Sequence, residues 1–134
     1  MWEQNAASRL AAPDFGLLLA QRQDYSALGP IALVARRAEK LQALATELQQ
    51  RYGVTCMVFA ADLNDPAAPQ AIMDFAQAQQ INIDILINNA GFGLNGEFAE
   101  QSPLQLQQMM QLNMLTLTTL TRLVVPSMRR SRHG

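Results

Sequence analysis

The run Ile83-Asp84-Ile85-Leu86-Ile87-Asn88-Asn89-Ala90-Gly91 constrains this chain more than any other stretch. Its apolar part reads as a short strand buried on both faces, the kind found in a parallel sheet covered by helices. Asn88 and Asn89 fall where that strand would end. In open parallel sheets, ligands bind just beyond the carboxyl ends of the strands. Two side-chain amides followed by the small pair Ala90-Gly91 suit a close approach of backbone to ligand. They suit equally a plain strand followed by an Asn-Gly-type turn.

The segments on either side alternate between strand and helix. Ile31 to Ala35 is a buried-strand candidate followed at once by Arg36-Arg37. Glu39 to Tyr52 is amphipathic, with Leu41, Leu44, Ala45 and Leu48 on one face and Gly53 as its C-cap. Thr55 to Ala60 is the next strand and closes in Asp62-Leu63. Asp65 and Pro66 suit the cap and first position of another helix, whose buried face is Ala68, Ile72, Phe75 and Ala76. After the Ile83 strand, a helix is expected from Ser102 to about Val125. Ser102 is its N-cap, Pro103 its first residue, and Gln105 the partner in a capping box. Its inner stripe reads Leu106, Met110, Asn113, Leu117, Leu120, Val124. Pro126 and the basic run Arg129-Arg130-Ser131-Arg132 then end the chain, the latter as a frayed tail. Strand, helix, strand, helix, strand, helix implies right-handed βαβ units in an α/β, doubly wound parallel sheet. Residues 1–30 form an atypical N-terminal segment with turn signals at Pro13-Asp14 and Gly29-Pro30, and at most a short helix from Leu17 to Gln23.

Composition removes several functions. At 134 residues the chain holds one domain at most. A formal net charge of −1 gives no electrostatic case for nucleic acid or an anionic membrane. The single cysteine, Cys56, excludes an internal disulfide and a cysteine-based metal cluster, and the single histidine, His133, makes no metal site. No apolar run is long enough to span a bilayer and no signal-peptide pattern opens the chain, so the expected location is cytoplasmic.

A few residues carry chemistry. Arg36-Arg37 at the end of a strand can pair with a phosphate, or can simply be two solvated arginines before a helix. Asp62 can accept from a nucleotide's amino or hydroxyl group, or can close a turn. Asn113 lies on the inner stripe of an apolar helix, where an unpartnered amide costs about 1–3 kcal/mol, so it needs partners. Cys56, within a strand, reads as an inert buried thiol.

In order and separation, Leu33-Val34-Ala35-Arg36-Arg37 with Glu39-Lys40-Leu41, then Asp62-Leu63, then Asn88-Asn89-Ala90-Gly91, then Asn113, resemble the short-chain dehydrogenase/reductase family. The match runs from Ile31 to about Met128. The resemblance implies a Rossmann-type, three-layer α/β/α sheet, here partial and incomplete at both ends. It implies a domain over 31–128 and a tail at 129–134. It also implies an NAD(P)(H)-dependent oxidoreductase that interconverts a carbonyl and an alcohol of a small-molecule substrate by hydride transfer. Carried over by position, Arg36 and Arg37 would hold a 2′-phosphate, favouring NADP(H) over NAD(H). Asp62 and Leu63 would border the adenine. Asn89, Ala90 and Gly91 would line the cofactor. Asn113 would be the asparagine of the catalytic tetrad. The helix beginning at Ser102 would be the surface of a homo-oligomer.

The departures are as informative. The family opens with a strand and a Gly-rich turn that holds the pyrophosphate; nothing of that character precedes Ile31. In the family that strand is central, beside the Asn-Asn-Ala-Gly strand. The family also needs a serine and a Tyr-x-x-x-Lys segment. Tyr25 and Tyr52 are followed four residues on by Gly29 and Cys56, and Lys40 is the single lysine. The expectation is therefore a truncated or frame-interrupted member with weak cofactor binding. The alternative to activity is a catalytically inactive nucleotide-binding or interaction remnant.

Overall fold

In the computed structural model, which describes residues 17–22, 28–132 and 134, strand β2 (Leu28–Ala35) is the hub. Ile31, Ala32, Leu33 and Val34 are all buried, and the two-residue period of a strand sends them alternately to opposite faces. Ile31 and Leu33 pack with Leu41, Ala45 and Leu48 of helix α1 (Ala38–Tyr52). Ala32 and Val34 pack on the other face with Ile72 and Ala76 of helix α2 (Ala68–Ala78). Leu120 and Val124 of helix α4 (Leu117–Ser131) join the same cluster. A helix on one side and two on the other make the three-layer α/β/α arrangement expected. Phe75 stacks on Phe59 with ring centroids 4.7 Å apart.

Strand β3 (Cys56–Ala60) runs parallel to β2, with Ile31 opposite Cys56 and Ala35 opposite Ala60. Helix α1 is the crossover between them, and it ends at Gly53 in the left-handed region (φ 66°), whose amide donates to the Gln49 carbonyl. Strand β4 (Ile85–Asn88) is the core of the Asn-Asn-Ala-Gly stretch. The sheet order is β3-β2-β1-β4, where β1 is Leu17–Arg22.

Strand β1 is the main departure from expectation. The sequence predicts a helix at most over Leu17 to Gln23, but Leu17–Arg22 is a strand between β2 and β4. An apolar run this short carries no periodicity that separates a buried strand from a buried helix. The neighbour of the Asn-Asn-Ala-Gly strand is thus present, and it is antiparallel to both β2 and β4. The sheet is accordingly mixed, with β2, β3 and β4 pointing one way and β1 the other. Gly29-Pro30, expected as a turn, lies inside β2. The register between β1 and β2 shifts between Ala20 and Arg22, and such an irregularity tolerates a proline that has no amide to donate. Tyr25, the Pro13-Asp14 turn and His133 lie outside the described residues.

Other boundaries also differ from expectation. Helix α2 starts at Ala68 with Pro69 in its first turn. Asp65 and Pro66 belong to a separate turn, in which the Asp65 carboxylate accepts from the Ala67 amide at 2.9 Å. Helix α3 (Pro103–Met110) does begin after Ser102, yet no side-chain cap bond forms there, so the capping box is absent. A six-residue turn of π-helix (Gln111–Thr116) joins α3 to α4. Helix α4 runs through Pro126 to Ser131. The basic residues are its last turn rather than a frayed tail, and cations are favoured at that end of the helix dipole.

The polarity of β1 can be tested with cysteine pairs. Leu17→Cys with Asn88→Cys should form a disulfide under mild oxidation, because these residues face each other. Leu17→Cys with Ile85→Cys should not; the reverse result would make β1 parallel.

Candidate functional site

Strands β2, β3 and β4 deliver their carboxyl ends to one edge of the sheet. Arg36 and Arg37 follow β2, Asp62 and Leu63 follow β3, and Asn89, Ala90 and Gly91 follow β4. β3 and β4 lie three strand spacings apart, about 14 Å, with β2 and β1 between them. The structure therefore brings all the expected nucleotide-side residues to a single edge. Both arginines are exposed there, with Arg37 immediately before the first turn of α1.

Asn113 reaches this edge from the π turn. Its amide nitrogen donates to the Phe92 carbonyl at 2.8 Å, and its amide oxygen accepts from the Phe92 amide at 3.1 Å. Both ends of one carboxamide are thus bonded to one residue's backbone, and the loop after β4 is fixed to the helix. The residue is exposed rather than buried in an inner stripe. Asn113 lies inside the π turn, where the ordinary helical phase is broken. Leu120 and Val124, expected inside, are buried, as is Thr116, while Met110 and Leu117, also expected inside, are exposed.

Gly91 suits the same contact. A Cβ there would sit 3.2 Å from the Asn113 amide oxygen, so the carboxamide would have to give by a few tenths of an ångström.

Further polar residues hold this edge; the sequence pattern points to Asn88 and Asp62 among them, but not to Thr116, Gln111 or Thr121. The buried Thr116 hydroxyl donates to the Leu63 carbonyl at 2.7 Å. Gln111 Nε2 donates to the Thr116 hydroxyl at 3.3 Å. Asn88 Nδ2 donates to the Thr121 hydroxyl at 3.3 Å, and that hydroxyl donates to the Leu117 carbonyl. Asp62 acts as a turn aspartate, its carboxylate accepting from the Asn64 amide at 3.0 Å. In the same turn the Asn64 side-chain oxygen is buried with no partner among the described residues. A signal for Thr116 does exist, since Thr116, Leu120 and Val124 repeat at four-residue spacing. The change of helical phase at the π turn hides it.

Cys56 is only half-buried, yet burial pushes its thiol up to about 11, so almost no thiolate exists at neutral pH. A groove of about 850 Å³ lies at the other end of β4, between Ile81–Asp84 and the ends of α2 and α4. None of the candidate residues lines it.

Asn113→Ala removes two hydrogen bonds to a partly exposed backbone, so it should cost about 1–3 kcal/mol in urea denaturation and speed exchange of the Phe92 amide. Gly91→Val should produce the same two changes by pushing the carboxamide aside. An unchanged Phe92 exchange rate in both variants would show that the clamp does not hold the loop.

The profile of the short chain dehydrogenase family matches residues 14–134. The chain is 34% identical over 104 residues to nodulation protein G of Rhizobium sp. (strain N33), covering 78% of this chain and 41% of that protein. It is 33% identical over 105 residues to the NADP-dependent 3-hydroxy acid dehydrogenase YdfG of Escherichia coli (strain K12), with the same coverage of each. In structure it is similar to L-sorbose reductase from Gluconobacter frateurii, solved with NADPH and L-sorbose. The TM-score is 0.69 at 31% identity, over 75% of this chain and 38% of that one. The chain thus spans about two fifths of the length of these relatives. With the family's profile over nearly its whole length, and with α/β/α layers that bring the strand-end residues to one edge, this chain belongs to the short-chain dehydrogenase family.

Proposed function

We propose that this chain supplies the nucleotide side of an oxidoreductase site that interconverts a carbonyl and an alcohol with NADP(H). The observation that carries this reading is the convergence of Arg36 and Arg37, Asp62 and Leu63, and Asn89 to Gly91 at one sheet edge. The donor set fits part of the cofactor. Two exposed guanidiniums at the end of β2 suit a 2′-phosphate, which an NADP(H) has and an NAD(H) lacks. The turn at Asp62 to Asp65 offers the exposed carboxylates of Asp62 and Asp65 as acceptors to an adenine or ribose. Asn113 holds the loop that would lie against the nicotinamide end. When bound, the cofactor supplies or accepts the hydride. The chain's own residues bind and orient.

The pyrophosphate fits less well. In a nucleotide-binding sheet its partners are the amides of a turn that leaves a central strand for a helix. Here the central strand β1 runs the other way, and Leu17, its first residue, lies at this edge opposite Asn88. That polarity favours a second reading, in which these 134 residues bind the dinucleotide weakly and do not turn over substrate. The lack of a Tyr-x-x-x-Lys segment among them supports it. Among the described residues no helix is long and apolar enough to cross a membrane, and we place the chain in the cytoplasm.

Calorimetric titration should find NADPH bound in the high-micromolar to millimolar range, about −4 to −6 kcal/mol. NADH should bind more weakly, and Arg36→Ala with Arg37→Ala should erase the difference. No binding at millimolar NADPH would overturn the nucleotide reading. Stoichiometric NADPH oxidation with a panel of aldehydes and ketones would overturn the reading without turnover.

We also propose self-association through the helical segment that begins after Ser102. Leu104, Met110, Met114, Leu115 and Leu117 are exposed along it, an apolar surface that a second copy would cover. Sedimentation should show a concentration-dependent dimer that Met114→Glu with Leu115→Glu abolishes; a monomer at all concentrations would refute it.

A further inference from the structure

The π turn carries two arms that reach different loops. Asn113 holds Phe92 after β4, and Thr116, three residues later, holds Leu63 after β3. Helical threonines ordinarily return their hydroxyl to the carbonyl four residues back, as Thr46 does to Gln42 and Thr121 to Leu117. Thr116 does otherwise. Its side chain is buried, it donates to a carbonyl 53 residues away in sequence, and it accepts from Gln111. The Leu63 carbonyl is buried too, so loss of this donor leaves an acceptor that water cannot reach.

We propose that Thr116 is a positioning residue that couples the two loops flanking the candidate nucleotide edge. Asn113 and Thr116 sit within one turn of one helical segment. A shift of the segment that releases Leu63 therefore also strains the carboxamide on Phe92. The adenine-side turn at Asp62 to Asp65 and the loop at Phe92 are held or released together. The coupling follows from the hydrogen bonds alone; its use in nucleotide binding rests on the reading proposed above.

Amide hydrogen exchange, measured without nucleotide, tests the coupling. Two amides report on it: Asp65, bonded to the Asp62 carbonyl, and Phe92, bonded to Asn113. Thr116→Val keeps the shape and removes the hydroxyl. Both amides should exchange about tenfold faster, the equivalent of one hydrogen bond. Thr116→Ser should restore both. Acceleration at Asp65 with Phe92 unchanged would overturn the proposal, since a purely local role for Thr116 predicts that outcome. Acceleration that also includes the Ala61 amide, bonded to Ala35 in the sheet, marks general loosening. Gln111→Leu then decides, because it weakens the hold on the hydroxyl without altering the buried position. The same pair of amides should accelerate, and wild-type rates at both would overturn the coupling. NADPH titration of the valine and serine variants is the separate arm. Binding should weaken about tenfold in the first and recover in the second. If the unaltered chain binds no NADPH, the nucleotide reading fails while the amide pair still decides the coupling.

Discussion

Two hydrogen bonds between the Asn113 carboxamide and the backbone of Phe92 organise the strand-end edge of this protein. A side chain that satisfies both its donor and its acceptor on one residue permits little rotation of either partner. The consequences run outward from there. The helix accommodates the reach with a π turn, which breaks the ordinary helical phase there. A side chain at position 91 would press on the Asn113 carboxamide. Thr116 is carried inward to a buried place where its hydroxyl must find a partner, and it finds the carbonyl of Leu63. Neighbouring loops from two strands are thereby referred to one short piece of helix.

Much of the architecture is legible in the sequence because it rests on periodicity. Leu41, Ala45 and Leu48 announce the buried face of α1, and Ala68, Ile72 and Ala76 that of α2. The chemistry-bearing positions are legible because strand ends are easy to locate from Arg36, Asp62 and Asn88. What escapes is of two kinds. Leu17–Arg22 is an apolar run with no period, and its strand identity comes from the two partners that flank it, which no local pattern contains. The inner face of the last helix is misread only around the π turn, from Met110 to Leu117, and is regained at Leu120 and Val124, which are buried as expected. An unbroken helical phase puts Met110 and Leu117 inside, and the fold does not keep that phase.

The edge divides in chemical character. Its β2 and β3 side offers positive charge and exposed acceptors at Arg36, Arg37 and Asp62. Its β4 side offers small residues and backbone held close by a helix. A ligand that suits both is long, with an anionic, hydrogen-bonding end and a flatter end that lies against backbone. A dinucleotide has that form. The middle of the edge, where β1 begins, is where this chain departs most from a sheet built wholly of parallel strands.

The reversed polarity of β1 also bears on how the chain reaches its native state. A parallel neighbour for β2 requires a crossover, as β3 does through the whole of α1. An antiparallel neighbour close in sequence needs no crossover, and hairpin contacts form in about 1–10 μs. The centre of this sheet is thus assembled from contacts near in sequence, and the distant strands add to a seed already in place. The entropic penalty of long-range closure falls on β4, which must dock against β1 from more than 60 residues away. The strand that bears Asn88 is thus the one whose pairing spans the longest stretch of chain.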